Sequence, residues 1–287
     1  MNLLVFGLGY STQRFVDLYG HRFARVTGTV RSAEKAQALA ARYQIPVAVF
    51  DGFAPSPVLL EAIATATHIL VSVPPDGQGD PVLRMLRETL AAAPDLAWIG
   101  YLSTVGVYGD HDGAWVDERS ALRPVSERGV RRVEAENAWL ALGQARGVPV
   151  QLFRLGGIYG PGQNAVENLR EGTARRIVKP GQVFNRIHVD DIAGAVMAGI
   201  GHPTVGPAIN VVDDEPAPPQ DVVTYAAERL GVEPPPLIDF EAANLSPMGR
   251  SFYGENKRVS NRLLRERLKY QMTFPTYREG MAAFLPG

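Results

Sequence analysis

Cysteine is absent from this sequence of 287 residues. Disulfide bonds, thiolate metal sites and cysteine nucleophiles are therefore excluded, and the composition suits a reducing compartment, so we expect a cytoplasmic location. Long apolar runs are also lacking, since no stretch approaches the roughly 20 apolar residues that cross a bilayer. The amino terminus has no positively charged leader, and we expect it to form a buried strand rather than a signal peptide.

Net charge is nearly absent as well. The 29 lysines and arginines almost balance the 30 aspartates and glutamates, which gives a formal charge of −1. Such a chain lacks the strong field that holds nucleic acid or an anionic membrane, so we expect neither as a partner and favour a small-molecule ligand. The sequence also contains no HExxH motif, histidine cluster or carboxylate cage, so we predict no metal site.

What the sequence does contain is an alternation of short apolar runs and helical patterns. This order is typical of an α/β protein whose parallel sheet is covered by helices on both faces. Helical patterns at residues 32–43 and 80–93 separate some of the strands. Six strands are predicted at residues 3–6, 25–30, 47–50, 68–73, 97–102 and 150–154. The sequence therefore predicts a doubly wound, mostly parallel Rossmann sheet.

The regular alternation ends near residue 160. Beyond it we predict a helix near 190–200, a short strand near 208–212 and a helix over 220–230. We therefore predict a dinucleotide-binding Rossmann domain at 1–159 and a smaller, mixed substrate lobe at 160–287. Residues 188–212 are the segment that could return to the Rossmann domain.

The first candidate site is the stretch FGLGYST at the end of the first predicted strand. Gly7 and Gly9 allow a tight turn and a close approach to a pyrophosphate, and the helix that opens near Tyr10 and Ser11 would hold this group with its free N–H groups. The spacing G-x-G-x-x-T lacks the third glycine of the usual motif. An ordinary glycine turn is the alternative, but the position after the first strand favours dinucleotide binding.

The end of the second predicted strand indicates which dinucleotide is bound. A carboxylate at this place would favour NAD, but the sequence has Arg31 and Ser32 instead. A guanidinium fork and a hydroxyl suit a 2′-phosphate, so we favour NADP and keep NAD as the alternative. The alternative is that Arg31 is a solvated residue at a strand end.

Further cofactor contacts are predicted where the third and fourth strands end. Asp51, followed by Gly52, could accept a hydrogen bond from the adenine amino group, although a simple turn aspartate is an equal alternative. Ser72, Val73 and Pro74 end the fourth strand on the expected pyrophosphate and nicotinamide-ribose side. Prolines end strands in any fold of this class, so they indicate where the strand ends without identifying a chemical role.

Seven segments then carry a resemblance to a known family. They are FGLGYS, VRSAEK, LSTVGVYG, LFRLGGIYGPG, RIHVDDIAGAV, INVVDDEP and NKRVSNRLLRERL. In these segments and their order, the sequence resembles the NAD-dependent epimerase/dehydratase family, in the atypical branch of the extended short-chain dehydrogenase/reductase superfamily. The resemblance implies an NAD(P)-dependent oxidoreductase or epimerase acting on a sugar-nucleotide-like or other small substrate. It also implies a homodimer through helices near 80–93 and 124–147.

The resemblance places the family's catalytic Tyr-x-x-x-Lys on Arg128 and Arg132. Arginine keeps its proton near neutral pH, so the usual proton carrier is missing. Thr104 occupies the position of the family's catalytic Ser/Thr and could bind a substrate oxygen, with Ser103 beside it as a candidate cofactor contact. The arginines could bind an anionic substrate or the cofactor phosphates. Alternatively, they belong to a charged, exposed helix face.

Other residues are candidates for the missing proton carrier. Tyr108 is one candidate, and Tyr159 is a second tyrosine near the expected site, although family members use both for packing. His188 could exchange a proton near neutral pH. The alternative is the structural role that its counterpart has in the family. Tyr253 and Lys257 repeat the Y-x-x-x-K spacing, but we interpret this match as chance because it lies far down the chain.

A basic cluster in the smaller lobe suggests a phosphorylated ligand. Arg175, Arg176 and Arg186, with His188 nearby in sequence, occupy the region that in sugar-nucleotide enzymes of the family holds the diphosphate. Basic residues are also common on polar lobes. Two functions therefore remain open: an NADP-dependent enzyme with rebuilt acid–base chemistry, or a non-catalytic NADP-binding sensor or regulatory protein.

Overall fold

The computed structural model describes residues 1–285 of the chain, which form thirteen strands and eleven α-helices. The strands are β1 (Asn2–Phe6), β2 (Arg25–Val30), β3 (Val47–Val49), β4 (His68–Val71), β5 (Trp98–Thr104), β6 (Trp115–Val116), β7 (Val150–Leu155), β8 (Gly157–Tyr159), β9 (Arg176–Val178), β10 (Arg186–His188), β11 (Ala208–Val211), β12 (Leu237–Asp239) and β13 (Arg258–Val259). The α-helices are α1 (Tyr10–Tyr19), α2 (Ala33–Tyr43), α3 (Pro57–Thr65), α4 (Pro81–Ala92), α5 (Glu127–Arg146), α6 (Ala165–Arg170), α7 (Val189–Gly201), α8 (Pro219–Leu230), α9 (Pro247–Phe252), α10 (Arg262–Glu266) and α11 (Tyr277–Ala282).

Seven strands form one parallel sheet in the order β11-β7-β5-β4-β1-β2-β3. β1 pairs in parallel with β2 on one side and with β4 on the other. The strand order therefore reverses between β1 and β4, and ligands of doubly wound proteins bind at the carboxyl ends of the strands that flank such a switch point. The predicted α/β fold with a Rossmann sheet is confirmed.

The strand limits follow the buried apolar runs of the sequence. β2 occupies the predicted residues, β4 ends two residues before the predicted limit, and β5 continues two residues beyond it. The predicted strand near 208–212 is β11, and it is the edge strand of the large sheet beside β7. The predicted helices are also present, with Ser32 capping α2 and Asp80 capping α4 through their side chains.

The chain divides into two compact units. The first unit comprises residues 1–103, 130–154 and 193–209, and the second comprises residues 104–129, 155–192 and 210–285. This division differs from the predicted boundary at residue 159, because residues 104–129 and 155–159 belong to the second unit. Residues 193–209 belong to the first unit and lie within the segment that was expected to be able to return to it, since α7 and β11 carry the chain back to the large sheet.

The core of the first unit lies between the sheet and helices α3, α4 and α5. Its large buried side chains include Phe6, Ile69 and Ile99 from the strands, and Leu86 and Trp139 from the helices. The strand residues belong to strands that are buried on both faces. The helix residues belong to one apolar stripe of each helix. Burial of this apolar surface provides the main favourable term in folding and fixes the strand ends that carry the candidate site.

The second unit contains three small parallel pairs of strands, namely β8 with β10, β9 with β12, and β6 with β13. One apolar cluster joins Tyr159, Val222 and Tyr277, and another joins Ile177 and Tyr253. Nowhere between residues 1 and 285 is there a helix with the length and apolar character needed to span a bilayer.

Candidate functional site

The glycine loop and the end of β4 meet at the switch point of the sheet. Gly7 follows β1 with a positive φ of 85°, and a Cβ at this position would lie 3.1 Å from Cγ2 of Val73 and 3.3 Å from its amide nitrogen. Glycine is therefore required both by the backbone conformation and by the close approach of the neighbouring chain. Three predicted cofactor residues, Gly7, Ser72 and Val73, lie together here.

A buried threonine replaces the third glycine of the motif. The Thr12 hydroxyl donates to the Gly7 carbonyl at 2.7 Å and accepts from the Gly9 amide at 2.9 Å. A Cβ at Gly9 would find only the Gly7 carbonyl oxygen, at 4.0 Å, so the space in front of this residue is open at the start of α1. The loop fits a pyrophosphate, with backbone N–H groups and the helix dipole directed at the anion.

A second threonine connects this loop to β2. The Gly7 amide donates to the Thr29 hydroxyl at 2.9 Å, and the Leu8 amide donates to the Thr29 carbonyl at 2.7 Å. The roles of Thr12 and Thr29 were not predicted from the sequence. For Thr12, the spacing G-x-G-x-x-T was the available signal, because the hydroxyl occurs where the motif normally has glycine.

Arg31 and Ser32 follow β2 at the surface. The Arg31 side chain is exposed and forms no hydrogen bond or ion pair with any residue of the described chain. The Ser32 hydroxyl accepts from the Lys35 amide as the N-cap of α2, at a long 3.4 Å. Asp51 accepts from the Phe53 amide at 3.2 Å in a turn, with Gly52 at a φ of 96°. This is the turn aspartate of the alternative interpretation.

The hydroxyl of Ser103, predicted as a cofactor contact, takes part in a buried polar network. It donates to Glu136 Oε1 at 2.5 Å, and the same carboxylate accepts from Arg154 Nη2 at 2.7 Å. The side chains of Glu136 and Arg154 are only 1% and 6% exposed, so this ion pair is effectively removed from water. It connects α5 to β5 and β7, and it was not predicted from the sequence.

Arg132, at the position of the family's lysine, is bound to β5. Its Nη1 donates to the Tyr101 hydroxyl at 3.0 Å and to the Leu102 carbonyl at 3.1 Å. The guanidinium also lies 5.5 Å from the centre of the Tyr101 ring. Burial raises the pKa of Tyr101, and the positive charge of Arg132 partly offsets this effect. Arg132 therefore has a structural role in the first unit.

In the second unit, a short 3₁₀ helix spans Val105–Tyr108. Thr104 is its N-cap residue, and Tyr108 is its last residue. The Thr104 hydroxyl accepts from the Gly106 amide at 3.1 Å. The Tyr108 hydroxyl donates to Asn210 Oδ1 at 2.7 Å, and its side chain is fully buried. The Tyr108 hydroxyl therefore takes part in a hydrogen bond in the interior of the second unit, as expected of a tyrosine with a packing role.

Arg128, at the position of the family's tyrosine, has a different environment from Arg132. Its guanidinium carbon lies 5.1 Å from the centre of the Phe252 ring. The side chain is exposed, and it forms no hydrogen bond or ion pair with a described residue. Its N–H groups are therefore available to a ligand.

His188 is buried among aromatic rings. Its Nδ1 accepts from the Asp190 amide at 3.2 Å, and its ring centre lies 4.0 Å from that of Phe274 and 5.2 Å from that of Tyr159. The adjacent Asp191 is fully buried and accepts three hydrogen bonds, from Tyr270, Thr273 and Phe274. Burial raises the pKa of Asp191, and the hydrogen bonds partly oppose this. These residues anchor the chain beyond residue 270.

The predicted phosphate-binding arginines donate to main-chain carbonyls of the second unit. Arg175 donates to Asn244 and Arg176 to Pro235, each at 2.9 Å. Arg186 donates to Phe184 and Ala217, each at 3.0 Å, and burial lowers its pKa, an effect that Asp213 opposes. At least one donor of each arginine thus stabilises the unit itself.

The Y-x-x-x-K spacing near residue 253 does not form a catalytic pair. Tyr253 packs against Phe184 and Phe240, while Lys257 is buried and donates to the Gly109 carbonyl at 2.8 Å and to Glu255 at 2.6 Å. The two side chains serve separate packing and hydrogen-bonding roles. No cluster of metal-binding side chains occurs within residues 1–285.

Comparisons with known proteins agree with this arrangement. A sequence model of the NAD dependent epimerase/dehydratase family matches residues 82–212. The chain is 29% identical over 143 residues to a 3-diazoavenalumate denitrifying reductase from a Streptomyces species, and this match spans 45% of the chain and 45% of the relative. The chain thus matches about half the length of this curated relative.

Solved structures match over nearly the whole chain. A functionally unknown conserved protein from Silicibacter pomeroyi DSS is 46% identical, with a TM-score of 0.86, over 98% of this chain and 97% of that one. A UDP-glucuronic acid 4-epimerase from Bacillus cereus, solved with NAD, is 18% identical, with a TM-score of 0.77, over 99% and 97%. The second likeness establishes the fold alone.

The family is NAD-dependent and consists of enzymes, with epimerases, dehydratases and reductases among its members and neighbours. The glycine loop at the switch point, the order of the strands and the family match agree with one another. The match to the NAD dependent epimerase/dehydratase family thus covers residues 82–212, which is less than half of the chain, and over those residues the chain is similar to that family.

Proposed function

We propose that the protein is an NAD(P)-dependent enzyme of the epimerase, dehydratase or reductase type, with NADP as the favoured cofactor and a small molecule as substrate. The observation that carries the cofactor assignment is the exposed Arg31 at the end of β2, whose guanidinium forms no hydrogen bond or ion pair with residues 1–285. A planar fork of N–H donors suits a 2′-phosphate, and the hydroxyl of Ser32 lies next in the chain.

The residues that would hold the cofactor are those of the glycine loop and of the β4 end. Gly7 and Gly9 leave room for the pyrophosphate, Ser72 and Val73 border the loop, and Arg31 selects the phosphorylated ribose. When bound, the dinucleotide supplies or accepts a hydride. In this proposal Asp51 keeps the turn after β3 and remains a candidate for the adenine contact.

The substrate side of the reaction differs from that of the family. Thr104 is the residue that would donate a hydrogen bond to a substrate oxygen, because its hydroxyl accepts from the Gly106 amide and retains its own proton for donation. Arg128 would stabilise negative charge on the substrate without exchanging a proton. The proposal therefore favours reactions in which charge is stabilised electrostatically and water supplies the proton.

The relatives suggest two substrate classes. The epimerase from Bacillus cereus acts on a uridine-diphosphate sugar acid, which supports a sugar-nucleotide-like substrate. The Streptomyces relative is a reductase for a diazo compound, which supports reduction of a small molecule. Both are proposals for this chain, since the first protein is 18% identical and the second matches over 45% of its length.

The alternative function is a non-catalytic NADP-binding sensor or regulatory protein. The engagement of Arg132 with Tyr101 and Leu102 favours it, because a side chain held in this way is unavailable to position a proton carrier. The commitment of the Tyr108 hydroxyl to Asn210 favours it as well. The two functions differ in turnover, since a sensor binds NADPH without oxidising it in the presence of any substrate.

Calorimetric titration of the purified protein with NADPH, NADP⁺, NADH and NAD⁺ tests the cofactor assignment. We expect micromolar binding of NADP(H), weakened more than about tenfold by Arg31→Ala while binding of NAD(H) is unchanged. Arg42→Ala is the matched control, because it removes the same charge at the far end of α2. If no dinucleotide binds, both the enzyme and the sensor are excluded. If NADPH binds equally to both variants and to the wild type, the NADP preference is wrong.

We also propose a cytoplasmic homodimer that forms through α4 and α5. Both helices expose apolar side chains, Met85 on α4 and Val130 on α5, and a groove of about 640 Å³ is lined by residues of the two helices. Light scattering coupled to size-exclusion chromatography measures the mass. A monomer at micromolar concentration would refute the dimer.

A further inference from the structure

Arg128 has a fixed backbone and a side chain whose donors are unused. It is the second residue of α5, and the Ser126 hydroxyl caps this helix by accepting from the Gly129 amide at 3.1 Å. A Cβ at Gly129 would lie 2.9 Å from Cβ of Pro124, so the first turn of the helix packs tightly on the preceding turn. The exposed Arg128 side chain therefore starts from an anchored position.

Phe252 provides the surface on which Arg128 lies. The Phe252 ring is 50% exposed, but its backbone ends α9 directly before Tyr253, which is buried against Phe184 and Phe240. The guanidinium of Arg128 is 5.1 Å from the centre of the Phe252 ring. A guanidinium stacked in this way keeps the N–H groups at its edge free for hydrogen bonds.

This pair offers two complementary chemistries to a ligand. The planar guanidinium fork matches the two oxygens of a carboxylate in a bidentate geometry. The exposed face of Phe252, extended by Met248, which is 62% exposed on the same helix, offers an apolar surface to a flat molecule. A ligand that covers the ring would also remove water from around the ion pair and strengthen it.

The arginines expected to bind a diphosphate are arranged differently. Arg175, Arg176 and Arg186 donate to main-chain carbonyls, whereas Arg128 donates to no residue within the described chain. The uncommitted guanidinium next to an exposed aromatic ring thus suits one carboxylate on a flat apolar body better than the diphosphate of a sugar nucleotide.

We propose that Arg128 and Phe252 form a recognition site for a small carboxylate that carries a planar apolar body, and that such a carboxylate is the substrate class of the protein. The assignment as substrate rests on the proposed NAD(P)-dependent function. Arg128 pairs with the carboxylate, and Phe252 stacks on the planar body. In this arrangement the residue at the family's tyrosine position selects the substrate by charge.

Calorimetric titration with cinnamate, and with its neutral analogue cinnamamide, tests the site on the apo protein and on the protein saturated with NADPH. We expect cinnamate to bind at least about tenfold more tightly than cinnamamide. Arg128→Gln should remove this difference by weakening cinnamate alone, whereas Phe252→Leu should weaken both probes. Arg250→Gln is the matched control, because Arg250 also lies over a phenylalanine ring of the same unit, 4.7 Å from the centre of Phe240.

Circular dichroism of each variant verifies that it is folded. Equal affinity of the two probes for the wild type, or an unchanged cinnamate affinity in Arg128→Gln, would overturn the proposal. Displacement of cinnamate by uridine diphosphate that depends on Arg128 would also overturn it, in favour of a phosphate ligand. If cinnamate binds in the expected way but no dinucleotide binds, the site stands and the proposed function fails. If NADPH binds but the preference for cinnamate over cinnamamide is missing, the proposed function stands and the carboxylate site fails.

Discussion

Replacing Asp213 by asparagine should change how the stability of the protein depends on pH. Asp213 lies two residues beyond β11 and is only 1% exposed. Its Oδ1 accepts a long hydrogen bond of 3.3 Å from the Glu215 amide, and its Oδ2 is buried without a hydrogen-bond partner among the described residues. A carboxylate in this environment is poorly stabilised, whereas a protonated carboxyl is tolerated.

The pKa of Asp213 is accordingly raised from 3.8 to about 8. Burial is the main cause, and the nearby charges of Glu215 and Asp214 raise the pKa further. The guanidinium of Arg186 and the hydrogen bond from the Glu215 amide oppose the shift. At neutral pH the folded protein therefore holds a proton on Asp213 that the unfolded chain has already released.

The sign of the effect follows from this difference in bound protons. Between pH 4 and pH 8 the native state binds more protons than the unfolded state, so stability falls as pH rises through this window. Each pH unit costs up to about 1.4 kcal/mol, which gives up to about 3 kcal/mol between pH 5 and 7.5. Asparagine has a similar shape but does not titrate, so Asp213→Asn should avoid this loss.

Urea unfolding of the wild type and of Asp213→Asn at pH values from 5 to 9.5 measures the effect. The variant should gain stability relative to the wild type as pH rises to about 8, and the difference should then remain constant. Asp95→Asn, at an exposed position, is the control for the loss of a charge. A difference that does not change between pH 5 and 8.5 would mean that Asp213 is ionised in the native state, and the argument from burial would be refuted.

Two further changes test the packing of the candidate site. Glu136→Gln should lower the free energy of unfolding by about 3–5 kcal/mol, because it removes the negative charge that pairs with the buried guanidinium of Arg154. Urea unfolding at pH 7 measures this change, and a loss below about 1 kcal/mol would contradict it. Gly109→Ala should unfold the protein or destabilise it severely, since its Cβ would overlap the Arg123 carbonyl at a φ of 71°. Gly147→Ala is its control, because Gly147 has a φ of 66° but no atom lies within 4 Å of the new Cβ. This variant should lose only about 1–2 kcal/mol of the free energy of unfolding. Equal thermal stability of the two variants would contradict the steric explanation.

The sequence predicted the large sheet well because its strands are buried on both faces. Such strands form nearly continuous apolar runs, and the limits of β1, β2 and β7 lie within one residue of the predicted ones. β5 was predicted to end at residue 102. In the structure it continues to Thr104, since the hydroxyl of Ser103 is satisfied by Glu136, which lies 33 residues later in the chain.

The candidate site was predictable only where the backbone determines it. Gly7 could be identified from its place after the first strand, because the turn itself requires glycine there. The partners of polar side chains could not be identified in this way. Asp213 stands in the acidic stretch VVDDEP, which reads as a solvent-exposed turn, and its burial becomes apparent only once β11 and β10 are placed.

The two arginines at the family's catalytic positions illustrate the same limit and its consequence. In sequence they form one motif, Arg128-Gly129-Val130-Arg131-Arg132, and either both or neither would be expected to face a ligand. In the structure Arg132 donates to Tyr101 and Leu102, while Arg128 lies over the ring of Phe252 and forms no hydrogen bond or ion pair with a described residue. Lysine at position 132 would carry a point charge in place of the planar guanidinium, whose Nη1 now donates to both acceptors and whose carbon lies 5.5 Å from the centre of the Tyr101 ring. Returning both positions to tyrosine and lysine would therefore change a structural contact at position 132 and remove the proposed carboxylate-binding group at position 128.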